Sequence, residues 1–146
     1  MMGPTLDTFA RKHIGTPFKW HGRVPGVGLD CSGLLVVSLR EMGVEVEDVR
    51  EYRRVDQVAN IERELAKFCG EVFLDGNEIT SGDIVVSEVK GGVGHISILS
   101  QNEQGQETFI HASSAPTVMQ VIEQPTTDEF YENLRSVWRV LPRSVK

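Results

Sequence analysis

The chain has 146 residues, 40% hydrophobic and 25% charged. That is enough for one sizeable core and too few for two ordinary domains, so residues 1–146 are read as a single domain. Fifteen Lys and Arg against 21 Asp and Glu leave a net charge of −6, and no basic stretch could follow a phosphate backbone, so nucleic acid is not an expected partner. No run approaches the roughly 20 apolar residues of a membrane helix, and the start lacks a signal-peptide pattern. The expectation is a chain that is cytoplasmic as synthesised and has no membrane partner.

In chain order, Leu6, Phe9, Ala10, His13 and Ile14 recur at helical spacing, with Thr5 or Asp7 as cap and Gly15 beyond. A short amphipathic helix follows from this, with His13 on its apolar stripe. Residues 15–30, GTPFKWHGRVPGVGLD, hold too many glycines and prolines for a regular element and read as a long shaped loop, which also carries His21. CSGLLVVSLREM, from Cys31 to Met42, is apolar on nearly all sides and reads as a buried helix with Asp30 as N-cap and Gly43 as stop. Charged Glu45 to Arg54 reads as loop. A second amphipathic helix carries Val58, Ile61, Leu65 and Phe68 on one stripe, capped by Asp56 and closed by Gly70, with Cys69 at its end.

After Gly70 the period changes to two. Ile84 to Val86, His95 to Leu99, Thr108 to Ala112, Val118 to Ile122 and Val137 to Leu141 read as strands between turns. Helices first and strands afterwards predict an α+β domain with an antiparallel sheet.

Cys31 stands on the first turn of its helix, directly after the glycine-rich loop. Helix N-terminal N–H groups stabilise a thiolate and can bring a cysteine pKa from about 8.5 to roughly 3.5–7.5. Cys31 is therefore the candidate nucleophile, and its alkylation is expected to be fast already at about pH 6. Gly33 leaves room for a close neighbour. Cys69 has no such setting and reads as structural.

The runs holding His95 and His111 flank the polar segment 101–106 and read as a hairpin; a loop centred near Glu103 places the two histidines directly opposite each other. Two facing imidazoles suit a base and the group that orients it. A one-residue slip would send them to opposite faces. Zinc on Cys31, His95 and His111 is the alternative reading, but no HxxxH or CxxC spacing is present, so no metal is expected.

GTPFKWHG from Gly15, GLDCSGL from Gly28, SGDIV from Ser81, GHISI from Gly94 and FIHAS from Phe109 resemble, in that order, the NlpC family of papain-like cell-wall cysteine peptidases. The resemblance implies a papain-like domain: N-terminal helices, one carrying the nucleophile, packed on a C-terminal antiparallel sheet. It implies Cys31 as nucleophile, His95 as base and His111 as orienter, with no cofactor. The implied substrates are peptide stems of bacterial peptidoglycan, cut between D-Glu and a diamino acid through a thioester. Substrate contacts would fall to Asp30, which matches a position that binds the free stem amine, to Ser32, and to Phe18 and Trp20 of the loop. Phe18 stands where relatives usually carry Tyr; losing such a donor costs on the order of 10²–10³ in rate where it serves an oxyanion. The loop resembles most the branch found in phage tails, which implies phage tail or particle proteins as partners. Two rival functions follow from the same features. One is a catalytically inactive or weakly active assembly component of the same fold, and the other is a thiol acyltransferase or amidase on another substrate.

Overall fold

The computed structural model describes residues 3–48, 58–75, 78–89 and 92–146. The first helix, α1, spans Leu6–Arg11 and buries Leu6 and Ala10 against the core. It is shorter than its apolar stripe predicts: the chain turns from Lys12 to Gly15, where φ is 96°, and Ile14 is 41% exposed. Polar bonds fix its far side to the sheet. Buried Asp7 accepts from Ser100 Oγ at 2.7 Å, and the Arg11 guanidinium forks onto Glu123 at 2.6 and 2.8 Å. His13 is buried, as its stripe position predicts, and its Nε2 meets Glu41 at 2.5 Å.

The glycine-rich loop is not wholly irregular. It contains a minimal hairpin, β1 (Arg23–Val24) against β2 (Gly28–Leu29), which turns through Gly26 at φ 78°. Then α2 spans Cys31–Met42 and ends at Gly43, whose φ of 101° is the left-handed conformation that a glycine supplies without a Cβ clash. Leu34, Leu35, Val36 and Leu39 are buried along it. The chain terminus closes over this end: Lys146 N donates to Gly43 O at 2.9 Å.

α3, Val58–Leu65, buries Ile61 and Leu65. Its expected cap, Asp56, lies outside the described residues, as does part of the charged loop before it. Its end is corrected by the structure. Cys69 and Gly70 do not finish a helix; they open strand β3, Cys69–Val72. The reason is tertiary, since every residue of this short strand pairs with β8 (Leu134–Val140).

The remaining strands are β4 (Ile84–Val89), β5 (Val93–Gln101), β6 (Glu107–Ser113) and β7 (Gln120–Pro125), and the order in the six-stranded antiparallel sheet is β3-β8-β4-β5-β6-β7. Alternation along the strands divides the core. Ile84, Val86, Ile96, Ile98, Ile110, Ala112 and Val121 pack with α1, α2 and α3. Val85, Leu99 and Val137 face the other way and are covered by Phe130, which belongs to a short helix without a predicted counterpart, α4 (Asp128–Asn133). Thr127 caps it, accepting from Phe130 N at 3.2 Å.

Candidate active site

The thiol is positioned by the loop that precedes it. Asp30 is 1% exposed. Its Oδ1 accepts from Gly33 N at 2.7 Å and from Arg23 Nη1 at 3.0 Å, and its Oδ2 accepts from His21 N at 2.8 Å. Arg23 is itself nearly buried and reaches Asp48 on its other side at 2.9 Å. One carboxylate therefore caps the helix of Cys31 and ties both sides of the loop to it. Both of its oxygens are engaged inside the protein, so the capping role expected of Asp30 is occupied by Gly33, and its expected contact with a substrate amine would be shared with Arg23 and His21 N. His21 takes φ 61° to present its N–H to Asp30. Gly33 faces the loop at close quarters, since a Cβ there would lie 2.1 Å from Gly22 O. The close neighbour for which Gly33 leaves room is backbone.

Cys31 is half-buried at the start of α2. Burial, reinforced by the negative charge of Asp30, pushes its thiol up to about 11, against the opposing pull of the Ile96 and Ser32 hydrogen-bond donors. Desolvation and Asp30 thus act against the helix dipole, in the direction opposite to the thiolate expected from a helix start. The contact with Ile96 places the sulfur beside β5 one residue from His95. Among the described residues, no hydrogen bond joins Cys31 to His95.

The histidines meet, though by a different register from the one read off the hairpin. Ile98 stands opposite Ile110 and Leu99 opposite Phe109, so His95 lies two residues out of line with His111. An even slip preserves the face. The imidazoles close the diagonal, with His95 Nε2 2.9 Å from His111 Nδ1 and the rings edge to face at 89°. His111 Nε2 then lies 2.6 Å from Gln124 Oε1. Phe109 lies against the His111 ring with centroids 4.8 Å apart and is itself stacked on Phe130 at 4.4 Å. Burial, with the neighbouring His111, pulls His95 down to about 3, and burial lowers His111 as well. Both rings are neutral at rest.

A cavity of about 360 Å³ opens beside the pair. His95, His111, Ser97, Gln124, Glu129 and Phe130 are among the residues in its wall. It lies on the α4 side of the sheet, and Phe18, Trp20, Asp30 and Ser32 do not line it. Phe18 and Trp20 instead make an edge-to-face pair, centroids 4.9 Å apart, in the loop next to α2. Phe18 packs on the same core as Cys31 and donates its N–H to Met119 O at 2.8 Å. Ser32 donates toward the Cys31 sulfur.

Gln124, Phe130 and α4 went unread in the sequence. The available signals were Thr127 followed by Asp128 and Glu129, an N-cap with an acidic first turn, and the alternation that puts Gln124 on the face of His111.

The sequence pattern of the NlpC/P60 family matches residues 15–139, from the glycine-rich loop to the last strand. The Escherichia coli (strain K12) protein named "Probable endopeptidase NlpC" is 32% identical over 107 residues. That alignment covers 72% of this chain and 58% of the relative, so the chain spans little more than half the length of that protein. An NLP/P60-family protein described as similar to lipoprotein, from Staphylococcus aureus subsp. aureus Mu50, has a crystal structure that superposes over 94% of this chain and 40% of its own, with a TM-score of 0.62 at 19% identity. That likeness shows the fold, helices followed by an antiparallel sheet. Since the family pattern takes in the cysteine loop, both histidine strands and the sheet that aligns them, this chain belongs to the NlpC/P60 family.

Proposed function

We propose that the chain is a cysteine peptidase acting on peptide stems of bacterial peptidoglycan, with the amide between D-Glu and the diamino acid as the bond cut. The observation that carries this reading is the hydrogen-bonded pair of histidines, His95 on the strand whose next residue, Ile96, meets the helix-start cysteine through its backbone: His95 has its Nε2 engaged by His111 and its Nδ1 left over. The thiol proton passes to that nitrogen as Sγ bonds to the amide carbonyl carbon. Protonated His95 then gives the proton to the leaving amine as the C–N bond breaks, leaving a thioester on Cys31. Water, deprotonated by His95, attacks the thioester, and the acid is released as the thiol regains its proton. Burial and Asp30 raise the thiol, which favours transfer to His95 in concert with attack, as in a serine enzyme, over a preformed ion pair.

The test is release of new amines from purified peptidoglycan and from free stem peptides. Wild type is expected to cleave, and Cys31→Ala and His95→Ala to lose cleavage, with the new ends identifying the bond. Absence of cleavage by a well-folded wild type overturns the reading. The raised Cys31 pKa and Phe18 then favour the second reading, a catalytically silent member of the family that serves as an assembly component.

A further inference from the structure

The hydrogen-bond chain across β5, β6 and β7 has a direction, and its last member sets it. A neutral imidazole holds one proton on one of its two nitrogens. Gln124 Oε1, 2.6 Å from His111 Nε2, is an acceptor without a proton, so the His111 proton belongs on Nε2. Nδ1 of His111 is then bare and accepts from His95 Nε2 at 2.9 Å. The one proton of His95 is spent there, and its Nδ1 carries a free lone pair. Were the Gln124 amide nitrogen turned to His111 instead, every step would reverse and His95 Nδ1 would carry a hydrogen, unable to take one from a thiol.

We propose that Gln124 is a positioning residue whose side-chain oxygen fixes the tautomers of both histidines and so presents a proton-free Nδ1 on His95. The proposal deepens the peptidase reading and rests on it for its catalytic meaning. Its structural content stands alone. Both rings are held neutral by burial, which is the condition under which a tautomer, as opposed to a charge, is what a neighbour selects. Gln124 is exposed and its backbone is fixed in β7 opposite Phe109, so changing its side chain spares the core.

The experiment compares wild type with Gln124→Glu, which only accepts, Gln124→Lys, which only donates, and Gln124→Met, which does neither. Long-range nitrogen-proton NMR of the imidazoles reads the tautomers at neutral pH, and stem-peptide cleavage reads turnover. Wild type is expected to show both rings protonated on Nε2, and Gln124→Glu to keep that pattern. Gln124→Lys is expected to move both protons to Nδ1 and to lower turnover by about 10²-fold, the range of a lost general base. Gln124→Met is expected to give a mixture at His111, which decides the matter should the Lys variant not fold. Wild-type rings protonated on Nδ1, or tautomers unchanged in Gln124→Lys and Gln124→Met alike, overturn the proposal. A wild type with the expected tautomers and no cleavage overturns the peptidase reading and leaves this assignment standing.

Discussion

His95 and His111 are not cross-strand partners, yet Nε2 of one is 2.9 Å from Nδ1 of the other. Each lies two residues out of register, and the contact runs diagonally. Diagonal side chains stand about 7–8 Å apart at their bases, a span two imidazoles can fill and two smaller polar groups cannot. The same diagonal step takes His111 to Gln124, since the residue opposite His111 in β7 is Ile122. An imidazole oriented this way depends on the alignment of three strands.

Cys31 labelling by an alkylating reagent tests the electrostatics of its thiol. Burial and Asp30 raise the thiol to about 11, so the rate is expected to be low at about pH 6 and to rise through the alkaline range. Asp30→Asn keeps an acceptor for Gly33 N while removing the charge. Its profile is expected to shift to lower pH. A wild-type rate already maximal at about pH 6 would return the site to a preformed thiolate.

Acid stability follows from His95. Its folded value, about 3, lies below the ordinary 6.5, so between these two values the unfolded chain takes up a proton that the folded chain refuses. The contribution is therefore complete above about pH 6.5 and is lost as pH falls, by about 1.4 kcal/mol per unit. His111 is shifted in the same direction. Cys31 acts at the other end: its raised value makes stability fall as pH rises above about 9. Urea unfolding from about pH 7 to about pH 4 should show the acid loss, and His95→Leu should flatten it. An equal slope in that variant would mean that other groups carry the effect.

Gly33→Ala is expected to cost about 3 kcal/mol or more in urea unfolding, because the new methyl would meet the Gly22 carbonyl at 2.1 Å and backbone has no rotamer by which to yield. Gly70→Ala is the control, with only a Leu141 side-chain atom at 3.3 Å. A loss for Gly33→Ala no greater than for Gly70→Ala would show that the loop gives way.

Phe130→Leu removes the ring stacked on Phe109, and thereby the support behind His111, while keeping most of the buried volume. A stability loss of about 1–2 kcal/mol is expected, together with slower stem-peptide turnover as the His111 ring loses its backing. Turnover equal to wild type would confine α4 to a structural role.

The helix that carries Cys31 was legible to the residue, because Asp30, a continuous apolar run and Gly43 all mark the same ends. The five longer strands were legible from their period. β3 was not, since the stripe of α3 runs without a break into Phe68 and only pairing with β8 makes residues 69–72 extended. α4 has one buried residue, Phe130, and so no periodicity to read. The hairpin register missed by two because the turn pivots later than its composition implies. Asn102 Oδ1 accepts from Gln104 N and Gln106 N, and Gly105 takes φ 77°. The upward push on the Cys31 thiol was illegible for a different reason: the helix dipole is a local property, while desolvation is set by everything packed around the sulfur.

A Cβ on Gly33 would strike Gly22 O at 2.1 Å, and one on Gly22 would strike Gly28 O at 2.4 Å. With Asp30 and Arg23 bonded across the same seam, the loop is held against the first turn of α2 by contacts that leave no room for a Cβ at either glycine. For the proposed peptidase, a change of substrate preference would therefore fall in the cavity wall or in α4, while the seat of the sulfur stays fixed.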